Sequence, residues 1–484
     1  MSHRGRRIDH RALLTLALGL ALTGCQGAGS PTAAPTDAPT DAPIDTSGPA
    51  PVVVDTDMGV DDTVALLFLL RSPEVDIRAV TIVGTGLVHC PSGIQVLQRL
   101  LGALGSTDVP ISCGREEPLQ GDHAFPGEWR AAADNGFGVE YGPAIVPTPP
   151  ATAPELLRQI AASAGRPITI VALGPLTNLA DAVQADPEFV TAVERIVAMG
   201  GAVKVPGNVE LGEGVEPPAA EWNIYADPTA ADIVFRSGIP LVLVPLDATN
   251  DVPVRPDFVS ELQGDHVAAG ADIAYELFIR VGVSPSDFFW DPLAAMAAVD
   301  ETVVTFETMR LQVETEGPGI GRTVQALDGI EVRVATGADA ASFETRLLAG
   351  LRVGASRGQS FTVAGTIVAR FDGTACIDEA PDVVPAGDWM FAGDTTAEGM
   401  SVLVVVRFHD GAGWADLEAY FDTASDPTDQ PSFLDVAGIS ALEPQDTTKF
   451  AAALQPGTYG IVCLQFTDTA SNAFTGSGPF EVLP

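Results

Sequence analysis

The sequence predicts an α/β domain built on a mainly parallel sheet flanked by helices, followed by a C-terminal all-β sandwich. Between Val52 and about Val353, continuous apolar runs rich in β-forming residues alternate with amphipathic stretches of helical period. This alternation is typical of a parallel sheet covered on both faces. Beyond Ala355, short strand-like runs separated by Gly, Pro and Asp turns replace it. With 484 residues, the chain is long enough for two separate cores.

The first predicted domain, residues 51–353, contains strand-like runs with helices between them. Functional groups gather at the carboxyl ends of the strands in such a sheet. These strand ends carry residues that we expect to converge on one crevice, namely Asp55, Asp57, residues 174–178, Gly200, Gly201 and Asp247. The predicted strands are PVVVDTD, IRAVTIVG, PITIVALG, RIVAMGG and IPLVLVPLD, and the helices include GIQVLQRLLGALG, APELLRQIAASAG and DPTAADIVFRSG.

The second predicted domain, residues 355–484, is an accessory β-sandwich. Its strand-like runs are FTVAGTIVARFDG, MSVLVVVRFHDG, WADLEAYFD and GTYGIVCLQFTD. The stretch LQPGTYGIVCLQF resembles the late strand of cupredoxin-like sandwiches. A blue-copper site needs two histidines and a cysteine, whereas His409 is the single histidine after residue 355. We therefore expect a cupredoxin-like sandwich without copper.

The N-terminus has the pattern of an export signal. A basic segment, MSHRGRRIDHR, precedes the short apolar run ALLTLALGLALTG, which predicts a signal peptide over residues 1–25. LTGC resembles a bacterial lipobox, which implies lipidation of Cys25 and a lipoprotein anchored to the outer face of the bacterial cell membrane. An ordinary signal peptide with a chance cysteine is the alternative. Residues 26–50, rich in Pro, Thr and Ala, cannot bury a core and predict a disordered linker.

Four cysteines remain after Cys25, an even number that suggests disulfides in an exported chain. Three connectivities are available to four cysteines. We predict Cys90 with Cys113 and Cys376 with Cys463, because each pair then lies within one predicted domain. Metal binding by these thiols is the alternative, but the sequence has no paired C-x-x-C spacing.

The charge balance argues against nucleic-acid partners. Lys and Arg number 25 against 64 Asp and Glu, which is a formal net charge of -39. A surface of this sign repels nucleic acid and anionic lipid head groups. Membrane contact is therefore expected only through the N-terminal lipid anchor.

The stretch DTDMGVDD crowds four aspartates at the end of the first predicted strand. Asp61 or Asp62 could cap the helix that begins around Thr63, and acids near a helix N-terminus are favoured. Capping does not explain Asp55 and Asp57, which finish the strand. Several carboxylates in a partly dry crevice repel one another unless a cation or protons neutralise them. Oxygen ligands in a calcium-rich exterior favour Ca²⁺.

Two other acidic motifs fit less well. An EF-hand is excluded, since Val60 and Leu66 stand where its glycine and bidentate glutamate belong. Asp55 and Asp57 match the DxD motif of haloacid-dehalogenase-type phosphatases. We find no late acidic motif of that family, so a DxD phosphatase is a minor alternative.

DTDMGVDD resembles the D-x-D-x-G-x-D-D signature of inosine-uridine-preferring nucleoside hydrolases, and further motifs follow in the order of that family. The resemblance extends from residue 52 to about residue 350. It implies a calcium-dependent nucleosidase that hydrolyses the N-glycosidic bond of ribonucleosides, or of a related N-riboside, to ribose and free base. The further motifs are ALGPLTNLADAV (172–183), VAMGG (197–201), GN (207–208), AEWNIYADPTAAD (220–232), PLDATN (245–250) and WDPLAAM (290–296).

The resemblance assigns metal ligands residue by residue. It implies that the carboxylates of Asp57, Asp62 and Asp291 bind Ca²⁺. The main-chain carbonyl of Thr177 is the expected fourth protein ligand, and Asp55 lies close by in support. As a structural alternative, Asp291 could cap a helix before its following proline.

The resemblance also assigns the catalytic and sugar-binding residues. Asp61 is the implied general base that takes a proton from the attacking water, while the ribosyl group passes through an oxocarbenium-like state. Asn208, Glu221 and Asn223 are similar to residues that hold the ribose hydroxyls and the 5′ group, and Met199 lines the sugar pocket. Taken alone, the asparagines could be turn residues and Met199 a core residue.

The sequence departs from the family pattern at three places. Trp290 stands where many members carry a histidine that assists the leaving base; tryptophan cannot donate a proton there, but its face can stack on a nucleobase. Gly86 stands where an asparagine usually contacts the sugar. An acidic insertion, residues 209–220, is longer than usual, and His89 could substitute as an acid or be a surface histidine.

These departures leave a second hypothesis open. The chain could be a catalytically degenerate lipoprotein that keeps calcium and ribose binding without turnover. Members of the family often form dimers or tetramers, so a homo-oligomer is an expected assembly.

Overall fold

The computed structural model describes residues 48–143, 151–209, 219–284, 286–358, 360–397, 401–409, 411–423, 431–442, 447–465 and 473–484. The predicted signal peptide, Cys25 and most of the predicted linker lie outside these residues, as does most of the acidic insertion at 209–220. The lipid anchor therefore stays a prediction. Among the described residues, every helix is too short or too polar to cross a bilayer.

A nine-stranded sheet with the order β3-β2-β1-β4-β5-β6-β9-β7-β8 organises the first part of the chain. The six pairings from β3 to β9 are parallel, and β7 pairs antiparallel with both β9 and β8. The mainly parallel sheet is therefore confirmed. The strands are β1 (Ala50–Thr56), β2 (Val75–Ile82), β3 (Ile111–Cys113), β4 (Ile168–Ala172), β5 (Val193–Met199), β6 (Leu241–Val244), β7 (Val304–Val313), β8 (Thr323–Gln325) and β9 (Ile330–Ala338).

Thirteen α-helices within the described residues accompany this sheet, and apolar clusters fill the space between helices and strands. All three quoted helical stretches are helices, at α2, α4 and α8. The helices are α1 (Val60–Leu69), α2 (Cys90–Leu104), α3 (Gly127–Asp134), α4 (Ala153–Ser163), α5 (Thr177–Ala185), α6 (Pro187–Ala192), α7 (Trp222–Ala226), α8 (Pro228–Phe235), α9 (Leu246–Thr249), α10 (Pro256–Gly264), α11 (Ala269–Val281), α12 (Trp290–Val299) and α13 (Ala340–Leu351).

The chain reverses its direction of travel across the sheet at β1. From β1 it passes through α1 to β2 on one side, and it later returns through α4 to β4 on the other side. Loops that leave the carboxyl ends of β1 and β4 therefore diverge and open a crevice between them. This is the edge at which the sequence places its acidic cluster.

The C-terminal part is a β-sandwich of a four-stranded and a five-stranded sheet, with orders β11-β10-β13-β16 and β12-β18-β17-β14-β15. Its inward-facing residues form a separate apolar cluster. The all-β prediction is confirmed, while the domain boundary near residue 354 stays a prediction. The strands are β10 (Thr366–Phe371), β11 (Cys376–Asp378), β12 (Val383–Pro385), β13 (Gly387–Thr395), β14 (Ser401–Phe408), β15 (Leu434–Leu442), β16 (Thr447–Leu454), β17 (Gly457–Gln465) and β18 (Ala473–Leu483).

One predicted strand of the sandwich is wrong. WADLEAYFD forms a helix, α14 (Trp414–Thr423), instead of a strand. Trp414 and Leu417 are three residues apart and pack on one apolar cluster, which is helical spacing. Ala, Leu and Glu are also strong helix formers, so local propensity agrees with the helix.

Both predicted disulfides are present. Cys90 pairs with Cys113 and Cys376 with Cys463, each with a Cα–Cα distance of 5.7 Å. The first bond joins the start of α2 to the end of β3, beside the crevice. The second joins β11 to β17 across the sandwich.

Candidate active site

Asp57 follows β1 and is enclosed by the loop that follows β2. The amide of Leu87 donates to Asp57 Oδ2 at 3.2 Å, and the amide of Val88 donates to the Asp57 carbonyl at 3.2 Å. The side chain is buried. Gly86 explains this close approach, since a Cβ at Gly86 would lie 2.2 Å from the Cβ of Asp57. The Asp57 side chain thus occupies the space into which a side chain at residue 86 would project.

Asp62 lies in the first turn of α1 and is held by three donors. Its Oδ1 accepts from the Thr56 hydroxyl at 2.5 Å and from the Asp57 amide at 3.0 Å. Its Oδ2 accepts from the Gly59 amide at 2.9 Å. Asp62 therefore stabilises the N-terminus of α1, as the capping alternative predicts. The same bonds orient its carboxylate toward the end of β1.

Asp291 comes from the first turn of α12, a helix that packs on α1, and it completes an acidic cluster. One carboxylate oxygen each from Asp61, Asp62 and Asp291 lie within 4.8 Å of one another. Asp291 is 2% exposed, and its Oδ1 has no hydrogen-bond partner among the described residues. A buried, unsatisfied carboxylate oxygen is costly unless a cation or proton meets it. The donor set is therefore suited to a metal ion.

The electrostatics of the cluster agree with this interpretation. Burial raises the pKa of Asp61 to about 7, and the neighbouring Asp62 charge adds to that rise. Burial, followed by the charges of neighbouring aspartates, also holds the pKa of Asp57 and of Asp291 well above the ordinary value. Without a cation the cluster would bind protons near neutral pH. A divalent ion would replace those protons.

Asp55 and Thr177 lie around the cluster in supporting positions. Asp55 Oδ1 accepts from the Thr81 hydroxyl at 2.6 Å and from the Asn178 amide at 2.8 Å. Burial raises the pKa of Asp55 to about 7. Thr177 is the first residue of α5, and its buried hydroxyl bonds to Thr85 and Asp227.

The predicted sugar-binding residues meet around the N-terminus of α7. Glu221 caps this helix, and its carboxylate accepts from the amides of Gly201 at 2.8 Å and Asn223 at 2.9 Å. The Asn223 side chain donates to the Leu173 carbonyl at 3.0 Å and to the Met199 carbonyl at 3.3 Å. These contacts join the ends of β4 and β5 to α7.

Asn208 contacts the first residue of α7, which lies 14 positions further along the chain. Its Oδ1 accepts from the Trp222 amide at 3.2 Å. Trp290, the first residue of α12, is partly buried, with its ring 5.9 Å from that of Phe288. His89 bonds through Nδ1 to Asp134 at 2.7 Å and is the N-cap residue of α2.

Asp227 was missed as a functional candidate, although it lies inside the quoted motif AEWNIYADPTAAD. It is fully buried and accepts hydrogen bonds from Leu119, Thr177 and Ala230. An aspartate directly before a proline suggests only a helix cap, which Asp227 also is for α8. Its contact with Thr177 depends on tertiary structure.

Comparison with known proteins identifies the family. The family model for inosine-uridine preferring nucleoside hydrolase matches residues 52–345. This chain belongs to that nucleoside hydrolase family. The chain is 33% identical over 280 residues to probable uridine nucleosidase 2 of Arabidopsis thaliana, covering 56% of this chain and 84% of the relative. It is 38% identical over 212 residues to pyrimidine-specific ribonucleoside hydrolase RihA of Escherichia coli O7:K1, covering 42% and 63%.

Solved structures of nucleoside hydrolases share its fold. The inosine-uridine preferring nucleoside hydrolase of Bacillus anthracis matches with a TM-score of 0.58 and 25% identity, covering 63% of this chain and 99% of that one. A plant nucleoside hydrolase matches with a TM-score of 0.57 and 32% identity, covering 63% and 100%. The chain is thus a nucleosidase, an enzyme class that hydrolyses the N-glycosidic bond of nucleosides and is typically metal-dependent.

Proposed function

We propose that this nucleoside hydrolase releases ribose and free base from ribonucleosides, or from a related N-riboside, with Ca²⁺ as cofactor and Asp61 as general base. The observation that carries the proposal is the cluster of Asp61, Asp62 and Asp291, whose oxygens lie within 4.8 Å. Burial of an unpartnered Asp291 oxygen in that cluster supports a cation as the missing partner.

Asp57, Asp62, Asp291 and the Thr177 carbonyl would hold the ion. Oxygen-only ligands from carboxylates and a carbonyl suit Ca²⁺ better than a transition metal. When bound, Ca²⁺ supplies a Lewis acid that lowers the pKa of water and orients sugar hydroxyls.

Asp61 is the carboxylate of the cluster best suited to proton transfer. Part of its surface reaches solvent, whereas Asp62 and Asp291 are buried. Its pKa, raised to about 7 by burial first, matches a base that works near neutral pH. Asp61 takes a proton from water as the oxygen bonds to the anomeric carbon. The bond from that carbon to the base nitrogen breaks, and the departing nitrogen keeps the electron pair and takes a proton from solvent water.

The remaining predicted residues would bind the substrate. Glu221 and Asn223, held by their contacts around α7, would bind ribose hydroxyls together with Asn208, and Met199 would line the sugar pocket. Buried carboxylates around the sugar stabilise the positive charge that develops on it. Trp290 would offer an aromatic face to the base but no acidic proton.

Specific features favour a second candidate, a binder of calcium and ribose without turnover. Gly86 has no side chain to contact the sugar, and the Asp57 side chain occupies the space into which one would project. Trp290 cannot protonate a leaving base. Both candidates use the same cation and sugar sites, so turnover decides between them.

Reducing-sugar release from uridine, cytidine, inosine, adenosine and guanosine, with and without a chelator, tests the proposal. Uridine comes first because relatives are named uridine nucleosidase. We expect release that a chelator abolishes and Ca²⁺ restores. Ribose binding without release from any riboside would leave only the second candidate.

Asp61→Asn separates the general base from the metal site. We expect turnover to fall about 10²–10⁴-fold, as for loss of a well-placed base, while calorimetry still detects Ca²⁺ binding. Asp257→Asn, in the first turn of α10, is a matched control that should keep full activity. Substantial activity in Asp61→Asn would refute the base assignment.

A further inference from the structure

A chain of buried polar groups lies behind the proposed metal site. The hydroxyls of Thr85 and Thr177 are 2.9 Å apart, and the Thr177 hydroxyl lies 2.9 Å from Asp227 Oδ2. Thr85 is 1% exposed, and Thr177 and Asp227 are 0% exposed. Burying polar groups costs free energy, so a hydrogen-bonded chain of them behind the proposed metal site needs a physical explanation.

The direction of these hydrogen bonds follows from the acceptor at their end. The ionised Asp227 carboxylate can only accept, so Thr177 donates its single hydroxyl proton to it. The oxygen of Thr177 is then free to accept, and Thr85 donates to it. Asp227 is itself held in place, because its Oδ1 accepts from the Ala230 amide at 3.0 Å and its Oδ2 from the Leu119 amide at 2.9 Å.

The chain connects three segments that lie far apart in sequence. Thr85 belongs to the loop after β2, in which the Leu87 amide donates to Asp57. Thr177 begins α5, and Asp227 caps α8. Two of these segments bear on proposed Ca²⁺ ligands. The loop that contains Thr85 contacts the side chain of Asp57, and the start of α5 carries the carbonyl of Thr177.

We propose that Asp227 and Thr85 are positioning residues that act through the Thr177 hydroxyl to hold the Thr177 main-chain carbonyl in place for the cation. This inference rests on the proposed function, because it assumes that this carbonyl is a Ca²⁺ ligand. A carbonyl ligand has no rotamers of its own, so its position depends on what anchors the residue. Two hydrogen bonds to the Thr177 side chain provide that anchor. Groups that orient metal ligands typically change metal affinity by about 10–100-fold when removed.

Calcium affinity of folded variants, measured by calorimetry, tests the inference. Thr177→Val removes the hydroxyl, keeps the shape and keeps the carbonyl, and we expect its Kd for Ca²⁺ to rise about 10–100-fold. Asp227→Asn should weaken binding in the same direction. Thr177→Ser retains the hydroxyl and should bind within about threefold of the unaltered protein.

Thr395→Val is the matched control for a general loss of stability. Thr395 is a buried sandwich threonine whose hydroxyl donates to the Phe371 carbonyl at 3.1 Å and accepts from the Ala397 amide at 3.1 Å. This variant should melt at a lower temperature and bind Ca²⁺ normally. A merely structural role for the buried chain predicts that Thr177→Val behaves in the same way.

The outcomes separate this inference from the proposed function. An unaltered protein that fails to bind Ca²⁺ would refute the proposed cofactor itself. Normal binding by the unaltered protein and by folded Thr177→Val would refute only the positioning role. If Thr177→Val does not fold, Thr85→Val breaks the chain from its other end, and an unchanged Kd in that variant would also refute the role.

Discussion

Gly86 brings its backbone directly onto the side chain of a proposed metal ligand. A Cβ at this position would lie 2.2 Å from the Cβ of Asp57 and 2.3 Å from its Oδ2. Because no side-chain rotation relieves a clash with a Cβ, Gly86→Ala must displace Asp57 or the loop. We expect Ca²⁺ affinity to fall about 10-fold or more, which calorimetry measures directly. Gly127→Ala, where nothing lies within 4 Å, is the control, and equal affinity in both variants would contradict the prediction.

The raised pKa values of the cluster predict how the calcium-free protein responds to pH. Asp55 and Asp61 each have a folded pKa of about 7, raised chiefly by burial from an ordinary value of 3.8. The unfolded chain therefore releases these two protons at a lower pH than the folded chain does. For this reason the free energy of unfolding should fall as pH rises from about 4 to about 7. Calcium binds the folded state and should restore that loss at neutral pH.

Thermal melts in chelator, from pH 4 to pH 7.5, test whether stability changes with pH in this direction. The Tm of the unaltered protein should fall relative to that of Asp61→Asn as pH rises, because the amide cannot ionise. The gain in Tm on adding Ca²⁺ should grow over the same range. A difference between the two proteins that is independent of pH would contradict the assignment.

At the level of elements, the two disulfides should differ in what they support. Cys90–Cys113 joins α2 to β3, and Gly114, the next residue, packs against Asn178, whose amide holds Asp55. The bond therefore supports the rim of the crevice. Cys376–Cys463 joins two strands of the sandwich and encloses a longer segment, with a sequence separation of 87 against 23.

Replacing each cysteine pair by alanines tests this difference. Loop-closure entropy predicts losses of about 3 kcal/mol for Cys90–Cys113 and about 4.5 kcal/mol for Cys376–Cys463. We expect the first pair alone to affect Ca²⁺ affinity, although it costs less stability. Denaturant unfolding measures the stability of each variant, and calorimetry measures its Ca²⁺ affinity. If only the sandwich variant lost Ca²⁺ affinity, this would argue against support of the crevice by Cys90–Cys113.

At the level of the whole molecule, buried ion pairs join the sheet domain to the segment that follows it and to the sandwich. Asp272 and Glu276 on α11 are 1% and 2% exposed, and Arg357 pairs with both. Arg280, on the same helix, bonds to Glu276 at 2.8 Å and to Asp388 of β13 at 2.9 Å. Thr46–Pro484 is one compact unit, consistent with these contacts.

Removing Arg357 should destabilise the protein, because the buried Asp272 then keeps only His266 as an ion-pair partner and the buried Glu276 keeps only Arg280. We expect Arg357→Met to lose about 3–5 kcal/mol in denaturant unfolding. Arg370→Met, which breaks exposed pairs with Glu379 and Asp394, should lose much less stability. Similar losses in the two variants would mean that the buried pairs contribute no more than surface ones.

The sequence predicted the parts of the fold whose local pattern matches their final environment. Strands β1, β4 and β6 are buried almost throughout, and β2 and β5 are buried over their last four residues, so each contains a continuous apolar run. β7 alternates buried and exposed residues and pairs antiparallel, so its sequence contains no continuous apolar run that would predict a strand. WADLEAYFD lies between strand-like runs, but its own residues favour the helix that it forms.

By itself, the sequence determined the fold class and the order of the family motifs, and it predicted both disulfide pairs. Only the tertiary structure decided which atoms in that crevice touch. Asp291 joins Asp61 and Asp62 because α12 packs on α1, and Asp227 reaches Thr177 across 50 residues. Gly86 proved to be a packing requirement of Asp57. Residue types and periodicity record burial and local conformation, whereas contacts between distant segments depend on how the helices and strands pack.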